Sequence, residues 1–208
     1  MIKISTSILS SKNRKKSIIK LNNTNTDYLH IDVMDGKFVP NYQFEVDEIN
    51  NLISLSEKKI DIHLMVENPE EYLEKINHSN NIEFITIHIE INKDIKNIIN
   101  KIKNKGYKIG LSIKPNTDIA LLKPYIDEID LILVMSVEPG YGGQEFISNT
   151  INRIKEIRNL KENIIIEVDG GIKDNNINLL KENTDIAVVG SYIINQDNYN
   201  KAINILKN

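Results

Sequence analysis

The sequence predicts an α/β fold in which eight parallel strands close into a single (β/α)8, or TIM, barrel spanning residues 1–208. Three observations lead there. Short β-rich apolar runs alternate with segments whose apolar residues recur every three or four positions. No composition break marks a linker along the 208 residues, a length that suits one sizeable core. The polar residues inside the apolar runs keep to one strand face.

Strands are expected at residues 2–5, 28–33, 59–65, 82–89, 107–113, 130–136, 164–169 and 186–189. Between them lie helix-period segments such as 94–105, with Ile95, Ile98, Ile99 and Ile102, and 149–160, with Ile151, Ile154 and Ile157. A last helix is expected at 199–206. Regular βα alternation points to a parallel sheet, and eight units close into a barrel. A doubly wound open sheet is the alternative, because 208 residues is short for a barrel.

Composition narrows the function classes. With 40% hydrophobic and 26% charged residues and a net charge of −3, the chain reads as an ordinary soluble globular protein. Nothing is basic enough for a nucleic-acid partner. The absence of cysteine excludes disulfides, thiolate metal sites and a cysteine nucleophile, and fits the cytoplasm as the expected location. The opening MIKISTSILSSKNRKK lacks the apolar core of a signal peptide. The most apolar run, residues 129–137, is too short to span a bilayer and contains Asp130, so no membrane partner is expected.

The strand at 28–33 sends Leu29, Ile31 and Val33 outward under the helices and Tyr28, His30, Asp32 and Met34 into the barrel. At 59–65, Ile62 and Leu64 go outward and Asp61, His63 and Met65 inward; at 164–169, Ile165, Glu167 and Asp169 go inward. His30, Asp32, His63 and Asp169 lie near the C-terminal ends of their strands, where barrel enzymes place their chemistry. Two imidazoles and two carboxylates make a four-ligand site for one divalent cation. A lone strand histidine is usually a core group bonded to a neighbour. Here two of only four histidines fall at equivalent depth on adjacent strands, and an inward Met34 or Met65 follows on each, which favours the metal. His88 with Glu90 reads as a structural polar pair, and His78 as exposed.

Gly140, Gly142 and Gly143 around Tyr141, Gly170 and Gly171, and Gly190 before Ser191 fall in three loops after consecutive late strands. One glycine loop would be only a turn, but three on one rim form a backbone cradle for a phosphate. The spacing of PGYGGQ does not match a Rossmann fingerprint. A divalent cation beside two acids, with a phosphate grip opposite, suits proton transfer next to the carbonyl of a sugar phosphate. Two carboxylates on opposite faces of a planar enediolate invert a stereocentre, whereas a single base returning its own proton retains it.

The chain resembles the ribulose-phosphate 3-epimerase family along essentially its whole length. The carrying stretches are SIL at Ser7, HIDVMDGKFVPN at His30, DIHLMV at Asp61, GLSIKP at Gly110, VMSVEPGYGGQ at Val134, EVDGG at Glu167 and GS at Gly190. The resemblance implies interconversion of D-ribulose 5-phosphate and D-xylulose 5-phosphate in the pentose phosphate pathway. It implies His30, Asp32, His63 and Asp169 as ligands of one zinc, iron, manganese or cobalt ion. Asp32 would be proton acceptor and Asp169 proton donor, exchanging in reverse. Ser7 and His63 would contact substrate, Met34, Met65 and Met135 would shield the enediolate, and Gly140, Tyr141, Gly142, Gly143, Gly170, Gly171, Gly190 and Ser191 would hold the phosphate. A homo-oligomer, dimer or hexamer, is also implied.

The chain departs from the family at Thr6, at Lys12 and before two strands, where Asn25-Thr-Asp27 and Asn183-Thr-Asp185 replace a usual Gly-Ala-Asp. Asn is expected to take the left-handed cap there, with an effect on stability alone. The rival readings are an epimerase of a six-carbon ketose phosphate such as allulose 6-phosphate, a phosphate-binding barrel decarboxylase, and a non-catalytic sugar-phosphate sensor. The His30/His63 pair argues against the decarboxylase. Retention of both Asp32 and Asp169 argues against the sensor.

Overall fold

The apolar runs form strands because their branched side chains can be buried on both faces of a covered parallel sheet. In the computed structural model, which describes residues 1–208, the strands are β1 (Lys3–Ser7), β2 (Tyr28–Asp35), β3 (Tyr42–Gln43), β4 (Lys59–Met65), β5 (Ile82–His88), β6 (Lys108–Ile113), β7 (Leu131–Met135), β8 (Ile165–Asp169) and β9 (Ile186–Val189). All but β3 pair in parallel, and β1 pairs with both β9 and β2, which closes the ring into a (β/α)8 barrel. The short β3 was not expected from the sequence; it runs antiparallel to the end of β2, with Met34 opposite Gln43.

The helices are α1 (Arg14–Asn22), α2 (Val46–Leu55), α3 (Pro69–Lys75), α4 (Ile95–Asn104), α5 (Thr150–Leu160), α6 (Ser191–Ile194) and α7 (Tyr199–Lys207). Several starts are set by side-chain caps: Asn13 accepts from the Lys16 N–H, Asp94 from Asn97 and Asn198 from Lys201. The β6–β7 and β8–β9 crossovers carry only 3₁₀ turns, Ile119–Leu122 and Ile177–Leu179. The first of these lies between Pro115 and Pro124, which interrupt the ladder a longer helix needs. Shortened crossovers of this kind let a chain of 208 residues complete the barrel. No helix is long and apolar enough to cross a membrane.

Most of the apolar mass lies outside the ring. Leu29, Ile31, Val33, Ile62, Leu64, Ile166 and Val168 join helix residues such as Ile98, Ile99 and Ile102 in one cluster of 50 buried residues. At roughly 1.5–3 kcal/mol per fully buried aliphatic side chain, that layer carries the stability of the fold. Inside the ring, a plug of Tyr28, Phe84, Leu131, Leu133, Met135, Val137 and Ile186 is much smaller. The predicted alternation of faces therefore holds in β2, β4 and β8.

The expectation of left-handed asparagine caps is corrected. Phe44, at φ 66°, is the only non-glycine residue with positive φ, so neither Asn25 nor Asn183 takes that conformation. The segments are held by side chains instead. Asp27 accepts from the Ile4 N–H at 2.8 Å and Asp185 from the Ile166 N–H at 2.8 Å, pinning the bottoms of β1 and β8. Asn25 is bound to α7 through Asn200 and Asn204.

Candidate active site

β2 and β4 run in register, with Asp32 beside His63 and Met34 beside Met65, so their inward residues reach the C-terminal mouth at matched heights. β8 brings Asp169 to the same level from the other side of the ring. One ligand atom from each of His30, Asp32, His63 and Asp169 lies within 4.8 Å of all the others. His30 Nε2 is 3.2 Å from Asp32 Oδ1; His63 Nδ1 is 3.6 Å from Asp32 Oδ1 and 4.0 Å from Asp169 Oδ2. His30 and His63 are fully buried, and Asp169, with 18% of its side chain exposed, opens onto the cleft.

Three of the four, His30, Asp32 and His63, are oriented from behind. His30 Nδ1 meets Asp61 Oδ2 at 2.6 Å, and Ser5 donates to the same oxygen at 3.2 Å. Ser7 Oγ donates to Asp32 Oδ2 at 2.6 Å. His63 Nε2 meets His88 Nε2 at 2.9 Å, and His88 Nδ1 meets Glu90 Oε2 at 3.0 Å. The expected His88–Glu90 pair is thus present, but it extends to His63, which the sequence did not disclose. His78 is exposed, as expected, and stacks on Tyr107.

The electrostatics of the four groups are unbalanced. Burial alone would raise Asp32, yet the charge and hydrogen bond of His30 bring it well below the usual carboxylate range. Burial would lower His30, but the Asp32 and Asp61 carboxylates on either side raise it well above 6.5. Burial and the Asp32 charge push Asp169 up to about 7. His63 is lowered by burial, and its Nδ1 is buried with no hydrogen-bond partner. A bare nitrogen facing two carboxylates that repel each other is a donor set that fits a divalent cation.

A deeper trio, His30, Asp61 and Glu167, also brings its ligand atoms within 4.8 Å. Burial and the Asp61 charge raise Glu167 well above the usual carboxylate range.

Above the quartet lies a cleft whose lining includes Ser7, Asp32, Met34, Met65, Met135 and Asp169. Gly140, Tyr141, Gly142, Gly143, Gly170, Gly171, Gly190 and Ser191 complete its far rim, so the three glycine loops do converge. His30 and His63 sit beneath this wall rather than on it. Gly171 has φ 63°, and a Cβ there would lie 2.5 Å from the Phe146 amide nitrogen, so only glycine lets the two loops pack. Ser136 Oγ ties the β8 exit through the carbonyls of Asp169 at 2.8 Å and Gly170 at 2.6 Å. Gln144 Nε2 closes the PGYGGQ loop on the carbonyls of Glu138 at 2.7 Å and Tyr141 at 2.9 Å. Neither Ser136 nor Gln144 was singled out from the sequence, since turn-closing side chains carry no spacing signal.

A parallel barrel with paired acids and imidazoles at its mouth and glycine loops on its rim is that of an enzyme, of the class of isomerases that act on carbohydrates. The family model described as "Ribulose-phosphate 3 epimerase family" matches residues 3–194. A ribulose-phosphate 3-epimerase of Bacillus subtilis (strain 168) is 33% identical over 218 residues, covering 100% of this chain and 99% of the relative. That of Aquifex aeolicus (strain VF5) is 38% identical over 172 residues, covering 80% of this chain and 77% of the relative. Among solved structures, KGPDC from Streptococcus mutans matches with a TM-score of 0.76 at 14% identity, covering 100% of this chain and 96% of that one, a likeness of fold alone. The chain belongs to the ribulose-phosphate 3-epimerase family.

Proposed function

We propose that this protein interconverts D-ribulose 5-phosphate and D-xylulose 5-phosphate by proton transfer between Asp32 and Asp169. The observation that carries the reading is the convergence of four ligand atoms, from His30, Asp32, His63 and Asp169, within 4.8 Å at the floor of the cleft. These four residues would hold a divalent cation such as Zn²⁺, Fe²⁺, Mn²⁺ or Co²⁺. When bound, the cation supplies Lewis-acid polarisation of the substrate carbonyl and its neighbouring hydroxyl.

Asp32, steadied by Ser7, removes the carbon-bound proton from one face of the substrate. Asp169, coming from the opposite side of the ring, delivers a proton to the other face of the planar enediolate. The roles exchange in the reverse direction. Met34, Met65 and Met135 line the cleft between the acids and exclude water that would otherwise protonate the intermediate without stereochemical control. The loops at Gly140–Gly143, Gly170–Gly171 and Gly190–Ser191 present backbone rather than side chain to the phosphate, which fixes the distance from phosphate to reacting carbon.

The test is a coupled assay of the purified protein with ribulose 5-phosphate and with allulose 6-phosphate, alongside elemental analysis. Turnover favouring the pentulose by at least tenfold, with about one divalent ion per chain, is the expected result. Preference for the hexulose would move the substrate assignment, and absence of turnover on both would overturn the reading.

A further inference from the structure

His88 ends β5, one strand away from His63 on β4, with Glu90 just beyond it, and their hydrogen bonds run toward His63. Glu90 Oε1 accepts from the Lys114 N–H at 2.7 Å and from Thr117 Oγ1, while Oε2 faces His88 Nδ1 at 3.0 Å. The ionised carboxylate accepts at both oxygens, so the hydrogen between Glu90 and His88 belongs to His88 Nδ1. His88 is fully buried, and a neutral ring that gives its one N–H to Glu90 has no second hydrogen to donate. Its Nε2 is therefore a lone pair, 2.9 Å from His63 Nε2. Facing nitrogens need one donor and one acceptor, which puts the hydrogen of His63 on Nε2. Nδ1 is left bare, and it is the buried, unpartnered atom that looks toward Asp32 and Asp169.

We propose that Glu90, acting through His88, is a positioning residue that sets the tautomer of His63 and so presents the Nδ1 lone pair to the cation site. This rests on reading the mouth residues as that site. Partners behind a metal-bound histidine commonly act this way, and here the chain is one imidazole longer than a direct carboxylate–histidine contact. Glu90 is itself anchored from β6: Arg153 holds the turn through the carbonyls of Lys114 at 3.2 Å and Thr117 at 2.7 Å. Phe38 covers the His88 ring with centroids 4.7 Å apart, keeping water from competing for its nitrogens.

The test is Glu90→Gln, which preserves shape and removes the charge. The amide oxygen keeps the two donors of the Lys114 turn, so its NH₂ faces His88 Nδ1 and the relay reverses, placing a hydrogen on His63 Nδ1. Histidine-selective ¹⁵N NMR of the full chain without added metal reads the tautomer, and calorimetry reads Mn²⁺ binding. Expected are an Nε2-protonated His63 in the wild type, an Nδ1-protonated His63 in Glu90→Gln, and Mn²⁺ affinity lower by about 10- to 100-fold. In a His88→Gln background the Glu90→Gln change should no longer alter Mn²⁺ affinity. An unchanged His63 tautomer in Glu90→Gln overturns the relay, as does an equal loss of affinity in both backgrounds. A wild type that binds no Mn²⁺ would instead overturn the cation reading of the mouth, and the tautomer measurement alone would then decide on Glu90.

Discussion

Ser7 Oγ donates to Asp32 Oδ2 over 2.6 Å, so the end of β1 holds the carboxylate at the end of β2. The adjacent Gly190 keeps this approach open, since a Cβ there would lie 3.3 Å from Ser7 Cβ. Ser7→Ala removes the donor on Oδ2 and leaves Asp32 held only through Oδ1, by His30 at 3.2 Å. Divalent-ion affinity is expected to fall about tenfold or more, with the melting temperature little changed. Titration calorimetry beside a thermal melt checks both, and undiminished affinity would count against Ser7 as an orienting group.

Asp32→Asn and Asp169→Asn should each lower kcat by at least ~10²-fold, the scale of losing a positioned proton-transfer group. Deuterium exchange separates the two. A variant that still removes the proton but cannot deliver one to the opposite face exchanges label into its substrate without inverting it. Retained inversion at wild-type rate in either variant would remove the two-acid scheme.

His30 carries a sign that can be read directly. Its folded-state pKa is raised above 6.5, so its pairing with Asp32 and Asp61 stabilises the metal-free fold fully below about pH 6.5 and is lost as pH rises through the folded value. A cation at Nε2 must displace that proton. Apparent affinity is therefore expected to increase from pH 6 to pH 8, by up to about tenfold per pH unit, with proton release on binding. Calorimetry in buffers of different ionisation enthalpy measures the release; pH-independent binding without it would place the cation away from His30. Chelation should abolish turnover and Mn²⁺ or Zn²⁺ restore it.

Gly171→Ala forces a Cβ onto the Phe146 backbone at a φ of 63°. The expected cost is about 1–3 kcal/mol of local strain, borne by the glycine-loop rim of the cleft rather than by the acids. KM for the sugar phosphate should rise several-fold while a phosphate-free analogue is unaffected. A normal KM would mean that the DGG turn does not touch the phosphate.

Much of this site was legible because its residues obey a short-range rule. His30, Asp32 and Met34 share a face by alternation alone, and so do Asp61, His63 and Met65. Lateral relations were not legible. His63 pairs in register with Thr86, and only the tilt of the ring brings His88, two residues further on, against it. The same limit hid the clamp in which Arg14 binds Glu48 at 3.0 Å and lies 3.9 Å above the Phe44 ring, securing the one strained non-glycine residue between β3 and α2. The 3₁₀ crossovers were missed for another reason: Ile119 and Leu122 match a helical repeat over a single turn, too short to show that the repeat stops.

Because the stabilising apolar layer and the chemistry occupy opposite sides of the same strands, they share a single reading frame. Deleting Leu29 would turn His30 and Asp32 outward into hydrocarbon and send Ile31 and Val33 into the barrel, abolishing fold and reactivity together. Length can change without that penalty only in the connections, so diversification of this chain is confined to its loops while the strand interiors admit substitution alone.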